Sequence, residues 1–404
     1  MEQLLRGHPS RIRLTDPEFR RLASGPADGP LLDKLRRTQL SRTTLIVKGL
    51  TGERPALGGA AELLAAAYDA RPGAVGALLA HPWLGVWAAD RLRGADGRPD
   101  YLANAALAAA ALAGLDGVEV PLVPYRGMVA VPGFGVRPFP GARVVLRAAD
   151  LARPGWLRPR PLLLRHGTDT LHLTVDDVDP YRDCFGVPPT ARLSGARLAD
   201  LAAALHDGWR LLTDHRPGFA AELAAGLTTL VPLDAPGEGR HSVTHADGYG
   251  AFAADPGLDA ADLAVTMVHE FQHGKLSAAL SLVALFDPTA GRRYYSPWRR
   301  DPRPVGGLVH GVYAFTAVAE VWSALRAEPA LAERATRQFA EVRAQVRLAL
   351  DEVSAADGLT GPGRLWLGWL AERCAALAAE EVPAGVERAA WEAVREAERA
   401  WRRP

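Results

Sequence analysis

Apolar residues recur at helical spacing through the first part of the chain. Four stretches show this pattern, residues 31–40, 60–70, 74–92 and 101–115, and proline or a Gly-Ala-Asp-Gly sequence separates most of them. Alanine is abundant in the last three stretches, which favours helix and allows helices to pack closely. The sequence therefore predicts an N-terminal helical region, residues 1–117.

Near residue 118 the pattern changes to short β-type runs broken by glycine and proline. These runs cover residues 118–124, 128–131, 142–147 and 162–165. Residues 171–175, Leu-His-Leu-Thr-Val, alternate between apolar and polar positions, as a half-buried strand does. We predict a strand-containing middle region, residues 118–195.

Helical spacing returns at residues 198–212 and 219–227, strand-like runs follow at 230–233 and 241–254, and the remainder is largely helical. We predict an α+β, predominantly helical fold. Short antiparallel strands should pack beside the helix over 263–280 and a C-terminal helical region. The third region, residues 196–404, would hold the catalytic site, and the three regions can form one continuous unit.

Composition limits the class of partner. The 404 residues include 47 basic and 46 acidic side chains, so no net field would attract nucleic acid or a membrane surface. Cys184 and Cys374 lie far apart without a C-x-x-C spacing, which predicts a reducing compartment. The N-terminus lacks the apolar core of a signal peptide, and we expect no window of about 18 residues to be apolar enough to span a bilayer. These features predict a soluble, cytoplasmic protein.

The predicted helix over 263–280 carries the sequence His269-Glu270-Phe271-Gln272-His273. On a helix the two histidines lie one turn apart on one face and can hold a single metal ion, with Glu270 beside the open coordination position. A third protein ligand is needed. Glu320 is one candidate, because a carboxylate on an apolar helix is costly to bury unless it is paired or bound to a metal, and His310 is the other. The sequence leaves this choice open.

Two chemistries fit such a site. In a zinc metallopeptidase, Glu270 would be the general base that deprotonates a metal-bound water. In a non-haem iron(II) oxygenase, three protein ligands leave positions for a 2-oxo acid and dioxygen. The second scheme needs a cation for the far carboxylate of the 2-oxo acid. Residues 292–303 contain five arginines, and Arg293, Arg299 and Arg303 are the candidate anchors.

The strand predicted just before the motif helix suggests how a peptide could reach the metal. An edge strand can hold an extended peptide by main-chain hydrogen bonds. His245 and Tyr249 lie in this stretch and are the candidate substrate-binding residues.

The motif and the segments after it resemble a known family. The similar segments are residues 268–276, 285–288, 293–299, 301–304 and 306–315. They resemble the HExxH-domain proteins of bacterial peptide natural-product clusters, the alpha-ketoglutarate-dependent HExxH-type peptide beta-hydroxylases, some of which are fused to radical SAM enzymes. The detailed likeness covers about residues 240–325, and a looser likeness around residues 35–50 suggests that most of the chain is the family's unit.

The resemblance implies an iron(II)- and 2-oxoglutarate-dependent enzyme that uses O2 to hydroxylate a β-carbon in a ribosomally made precursor peptide, with a radical SAM enzyme as a pathway partner. His269 and His273 match the family's metal histidines and Glu270 its motif glutamate. The motif alone would favour a zinc peptidase, and the resemblance favours the hydroxylase. A third reading, a silent peptide-binding protein with a structural metal, is disfavoured because the motif is intact.

Overall fold

The computed structural model describes residues 12–95, 97–234 and 241–402. Over these ranges the protein has the predicted α+β, predominantly helical fold. The helices of the described ranges are α1 Asp16–Ser24, α2 Gly29–Glu53, α3 Gly58–Ala70, α4 Pro72–Leu79, α5 Pro82–Leu92, α6 Tyr101–Ala113, α7 Gly195–His215, α8 Pro217–Gly226, α9 Ala260–Leu280, α10 Val305–Leu325, α11 Ala332–Ser354, α12 Gly361–Ala378 and α13 Ala384–Arg402.

The strands form two small hairpin sheets and one larger sheet. In chain order the strands are β1 Glu119–Leu122, β2 Met128–Val131, β3 Gly135–Pro138, β4 Val144–Arg147, β5 Arg160–His166, β6 Asp169–Val175, β7 Thr229–Pro232, β8 Ser242–Val243 and β9 Ala251–Ala254. Strand β1 pairs with β4 and β2 with β3, both antiparallel. The larger sheet has the order β5-β6-β7-β9-β8, so β5 and β8 are its edges.

The larger sheet is mixed rather than wholly antiparallel. Its outer pairs are antiparallel, as predicted, whereas β7 runs parallel to both β6 and β9. Parallel neighbours need a long connection between them, and helices α7 and α8 supply it between β6 and β7. The predicted strand over 241–254 is two strands, β8 and β9, joined by a turn.

Helices cover both faces of this sheet, and each face belongs to a different apolar core. In β7, Leu230 packs into a core shared with the C-terminal helices, while its neighbour Val231 packs into a core shared with α3–α6. In β9, Phe252 and Ala253 divide in the same way. Successive side chains of a strand point to opposite faces, so both strands are buried on two sides and consist of continuous apolar residues. The cores therefore cross the predicted regional boundaries, and the regions share them.

The sequence patterns predicted where helices occur, but they did not predict every break between helices. The predicted helix over 74–92 is two helices, because His81 adopts an extended backbone before Pro82 at the start of α5.

The expectation that no window could span a bilayer was wrong for α10, whose apolar window has a mean hydropathy of 1.3. That window is 72% buried inside the protein, as in the core helix of a soluble protein. The helix is therefore compatible with a soluble protein.

A buried polar network fixes helix α9 from the side opposite its histidines. Lys275 of α9 and Glu222 of α8 are fully buried, with Nζ and Oε1 separated by 2.5 Å. Glu222 also accepts hydrogen bonds from the backbone N–H of Ala27 at 2.6 Å and from Gln272 Nε2 at 2.6 Å. Lys275 donates to the carbonyl of Gly25 at 3.3 Å. The link between α1 and α2 thus supplies polar partners for two charged groups that are buried in the core, Lys275 of the motif helix and Glu222 of α8.

Candidate metal centre

Helix α9 begins where its sequence provides a cap. Asp259 has an extended backbone, and its side chain accepts a hydrogen bond from the N–H of Asp262 at 2.9 Å, as an N-cap residue does. The helix then runs without interruption through both motif histidines and is buried along most of its length. Because the helix is regular there, His269 and His273 share one face, as the sequence predicted.

The two motif histidines and His310 form a contiguous cluster. The Nε2 atoms of His269 and His273 lie 3.2 Å apart, and the Nδ1 atoms of His273 and His310 lie 3.4 Å apart. His310 comes from α10, which packs against α9. Two nitrogens bound tetrahedrally to one metal at about 2.0–2.1 Å are separated by about 3.3 Å. The spacing of His269 and His273 therefore suits joint coordination of one ion.

The third histidine is close to the other two but its ring is not aligned with them. His273 faces His269 with Nε2 and His310 with Nδ1, so these contacts are on different sides of its ring. In the described ranges, no three His, Cys, Asp or Glu side chains converge as a group that could hold a metal. The His310 ring would have to turn about its side-chain torsions to direct a nitrogen at the point between His269 and His273.

The protonation states of the cluster suit a metal. Burial lowers the pKa of His269 to about 4 and that of His310 to about 4. Burial, with a contribution from neighbouring His269, lowers the pKa of His273 to about 3. All three imidazoles are therefore uncharged at neutral pH and present nitrogen lone pairs, the form in which histidine binds metals. The donor set fits a transition metal ion such as iron(II) or zinc(II).

Glu270 is held by two hydroxyl groups from the edge of the larger sheet. Its side chain is 2% exposed. Ser242 Oγ donates to Oε1 at 2.6 Å and Thr244 Oγ1 donates to Oε2 at 2.6 Å. Burial raises the pKa of Glu270, while His273 and the two hydroxyls oppose that shift. Both carboxylate oxygens thus have hydrogen-bond donors, and Oε1 lies 3.9 Å from His269 Nε2.

Sequence reasoning missed Ser242 and Thr244. Ser242 begins strand β8 and Thr244 directly follows the strand, and both hydroxyls reach Glu270 of α9. The Ser-Val-Thr sequence was the available signal. It becomes informative only once the strand is known to lie beside the motif helix.

Glu320, the other candidate for the third ligand, lies away from the motif histidines and is paired with arginines. Its carboxylate receives two hydrogen bonds from Arg373, at 3.0 and 2.9 Å, and one from Arg216 at 3.1 Å. It also lies ten residues after His310 on the same helix, which is about 15 Å along the axis. Glu320 therefore belongs to a buried ion-pair group, and His310 is the candidate that the fold brings to the motif histidines.

The predicted anchors for the 2-oxo acid lie on the loop between α9 and α10. Arg299 and Arg303 both pair with Asp301, at 3.2 and 2.9 Å, and Arg293 is exposed. In the described part of the chain, none of these three hydrogen-bonds to the cluster. Of the three, Arg303 is the closest to His310 along the chain. Its side chain packs over Gly307, since its Nε would lie 3.2 Å from a Cβ added at that glycine. Gly307 and His310 are three residues apart on one helix face.

A second loop residue contacts the cluster through an intervening ring. The indole of Trp298 stacks in parallel on Phe315, with ring centroids 4.3 Å apart, and Phe315 meets His269 at 4.6 Å. The Trp298 Nε1 donates to Gln345 at 3.0 Å, which fixes the indole. These aromatic residues form one wall of the histidine cluster. For Trp298 the sequence offered only its position among arginines as a signal.

The two predicted substrate-binding residues lie in the turn between β8 and β9. His245 Nδ1 accepts a hydrogen bond from the N–H of Asp247 at 3.2 Å. Tyr249 packs against Phe271 with ring centroids 6.2 Å apart. Its buried hydroxyl has no hydrogen-bond partner among the described residues, and Tyr249 lines a cavity of about 20 Å³ that has room for a water. Among the described residues neither side chain contacts the histidine cluster, and their substrate role stays a prediction.

No protein-family model matches the chain, and no curated protein sequence is significantly similar to it.

Proposed function

We propose that the protein is an iron(II)- and 2-oxoglutarate-dependent oxygenase that hydroxylates a β-carbon in a ribosomally synthesised precursor peptide. The observation that carries the proposal is the combination of three neutral imidazoles with a neighbouring glutamate whose two oxygens are both hydrogen-bonded. This donor set can hold a redox metal. The glutamate is restrained by hydroxyls instead of being free to take a proton from water. The family resemblance supports the same activity.

His269, His273 and His310 would hold the iron, which supplies the chemistry that activates dioxygen for C–H hydroxylation. Overall, one oxygen atom enters the peptide C–H bond, and the other enters succinate as 2-oxoglutarate loses carbon dioxide. Glu270, held by its two hydroxyl donors, lies beside His269 and fixes β8 against α9. Phe315 and the Trp298 stacked on it keep water from one side of His269.

Arg303 is our choice of carboxylate anchor among the three predicted arginines. Its side chain lies over Gly307, one helical turn before His310. To bind the far carboxylate of 2-oxoglutarate, its guanidinium would exchange the exposed carboxylate of Asp301 for that of the co-substrate. Arg293 and Arg299 remain alternatives within the proposal, and His245 and Tyr249 the proposed peptide contacts.

The location and partners follow from the same proposal. Cys184 and Cys374 are free, which is consistent with a reducing cytoplasm. The peptide would come from a neighbouring gene, and a radical SAM enzyme of the same pathway would act on the same peptide.

A mass-spectrometric assay tests the proposal. The purified protein is incubated with iron(II), 2-oxoglutarate, ascorbate and the neighbouring precursor peptide. We expect the peptide to gain about 16 mass units per turnover, with release of succinate. His269→Ala should abolish the gain, whereas His172→Ala, at an exposed histidine on β6, should retain it. An unmodified peptide with the reconstituted wild-type protein would refute the proposal.

A zinc metallopeptidase is the second candidate. The observation in its favour is that the motif glutamate Oε1 lies 3.9 Å from His269 Nε2, near the position where a metal-bound water would lie. In that case the zinc-loaded protein would cleave the peptide without any 2-oxo acid, and Glu270→Gln would stop cleavage.

A further inference from the structure

A surface groove lies between the arginine-rich loop and the C-terminal helix. It has a volume of about 830 Å³. Trp298 and Tyr295 line its loop side and Trp401 of α13 its helix side. Tyr295 and Trp401 pack together with ring centroids 5.1 Å apart, and the Trp401 Nε1 donates to the carbonyl of Arg300 at 3.1 Å. These two contacts hold the loop against the helix and define the groove between them.

The groove is locally cationic. Residues 292–303 contain five arginines and one aspartate, whereas α13 contains four glutamates and four arginines. The two segments together carry a formal charge of +4 in a chain whose total is +1. Arg299 and Arg300 both line the groove and are exposed. Arg299 has Asp301 as a partner, while the Arg300 guanidinium has no carboxylate partner within the described ranges.

The inner wall of the groove is connected to the histidine cluster. Trp298 lines the groove and stacks on Phe315, and Phe315 contacts His269. A Cβ at Gly311 would lie 2.5 Å from the Trp298 ring, so a glycine at this position of α10 allows the indole to approach the helix. A chain seated in the groove would therefore lie two aromatic contacts from the proposed metal centre.

We propose that this groove binds an acidic segment of a peptide, with carboxylates on Arg299 and Arg300 and an aromatic side chain between Trp298 and Trp401. Guanidinium groups bind carboxylates with two parallel hydrogen bonds, and aromatic walls favour planar side chains. The inference rests on the proposed function, because the peptide is taken to be the enzyme's substrate. The groove would hold a segment of this peptide that is separate from the residue that is hydroxylated. It gives an almost neutral protein a means of selecting an acidic peptide.

A binding experiment without metal or co-substrate tests the groove alone. The probe is a fluorescein-labelled peptide that alternates glutamate with phenylalanine, titrated with the full chain and followed by anisotropy. We expect Arg300→Glu and Trp401→Ala each to weaken binding at least tenfold. Arg165→Glu is the matched control, since it reverses an exposed arginine on β5, away from the groove, and should leave the affinity unchanged. A peptide with lysine in place of glutamate should not bind.

The result is independent of the reaction. Wild-type affinity in Arg300→Glu, or equal binding of the lysine peptide, would overturn the groove proposal whatever the enzyme does. Failure of hydroxylation with intact groove binding would overturn only the proposed function. If the hydroxylation assay succeeds, the docking role requires that Arg300→Glu raise KM for the precursor peptide at least tenfold and leave kcat unchanged. An unchanged KM would contradict it.

Discussion

Replacing Lys275 with methionine should destabilise the protein strongly, although the residue lies behind the proposed site. The substitution keeps the length of the side chain and removes its charge. Glu222 would then keep the hydrogen bonds from Ala27 and Gln272 but lose the fully buried ammonium group that lies 2.5 Å from its Oε1. Breaking a buried ion pair from one side costs about 3–5 kcal/mol, because the remaining charge is left uncompensated. We expect a loss of this size in the free energy of unfolding.

Urea unfolding followed by circular dichroism measures the effect. Lys34→Met is the matched control, because Lys34 pairs with Glu18 where both side chains are partly exposed, and such pairs contribute about 0–1 kcal/mol. The double variant Glu222→Gln/Lys275→Met removes both charges and should lose less than Lys275→Met alone. If Lys275→Met costs no more than Lys34→Met, the buried pair does not hold the motif helix as described.

Three further changes test other parts of the structure. Thr244→Val removes one of the two hydroxyl donors to Glu270 and should cost about 1.5–3 kcal/mol in urea unfolding, whereas unchanged stability would mean that the carboxylate is not held there. Burial lowers the pKa of His81 from 6.5 to about 4. Between pH 6.5 and pH 4 this histidine is therefore protonated in the unfolded chain but not in the folded protein, so the free energy of unfolding falls as the pH drops through this range. His81→Gln should therefore lose about 1–2 kcal/mol less than wild type between pH 7 and pH 5, and an equal loss in both would contradict the assignment. Gly311→Ala places a Cβ 2.5 Å from the Trp298 ring and should cost about 1–3 kcal/mol with altered near-ultraviolet dichroism; an unchanged spectrum would show that the indole is not packed on α10.

Local patterns predicted a strand of the larger sheet and the helix that carries the motif. The alternation in residues 171–175 corresponds to β6, and the apolar spacing around the motif corresponds to α9. Both signals are contained within a few neighbouring residues, so they can be read without knowledge of the rest of the fold.

The third ligand could not be chosen from the sequence. A carboxylate on an apolar helix signals a buried partner, but it does not reveal whether that partner is a metal or an arginine. For Glu320 the partner is Arg373, fifty-three residues away. For the same reason the sequence did not predict the hydroxyl donors to Glu270. Ser242 and Thr244 lie 28 and 26 residues before Glu270 and contact it only because β8 packs on α9. Contacts between distant elements are set by tertiary packing.

Metal content tests the central claim, that His269, His273 and His310 form the metal centre. His310→Ala and Glu320→Ala are reconstituted with iron(II) without oxygen, desalted, checked for folding by circular dichroism and analysed by mass spectrometry for iron per folded chain. The proposal predicts that His310→Ala loses most of its iron and that Glu320→Ala, although less stable because Arg373 loses its partner, keeps the wild-type content. Iron retained in His310→Ala and lost in Glu320→Ala would contradict the three-histidine centre.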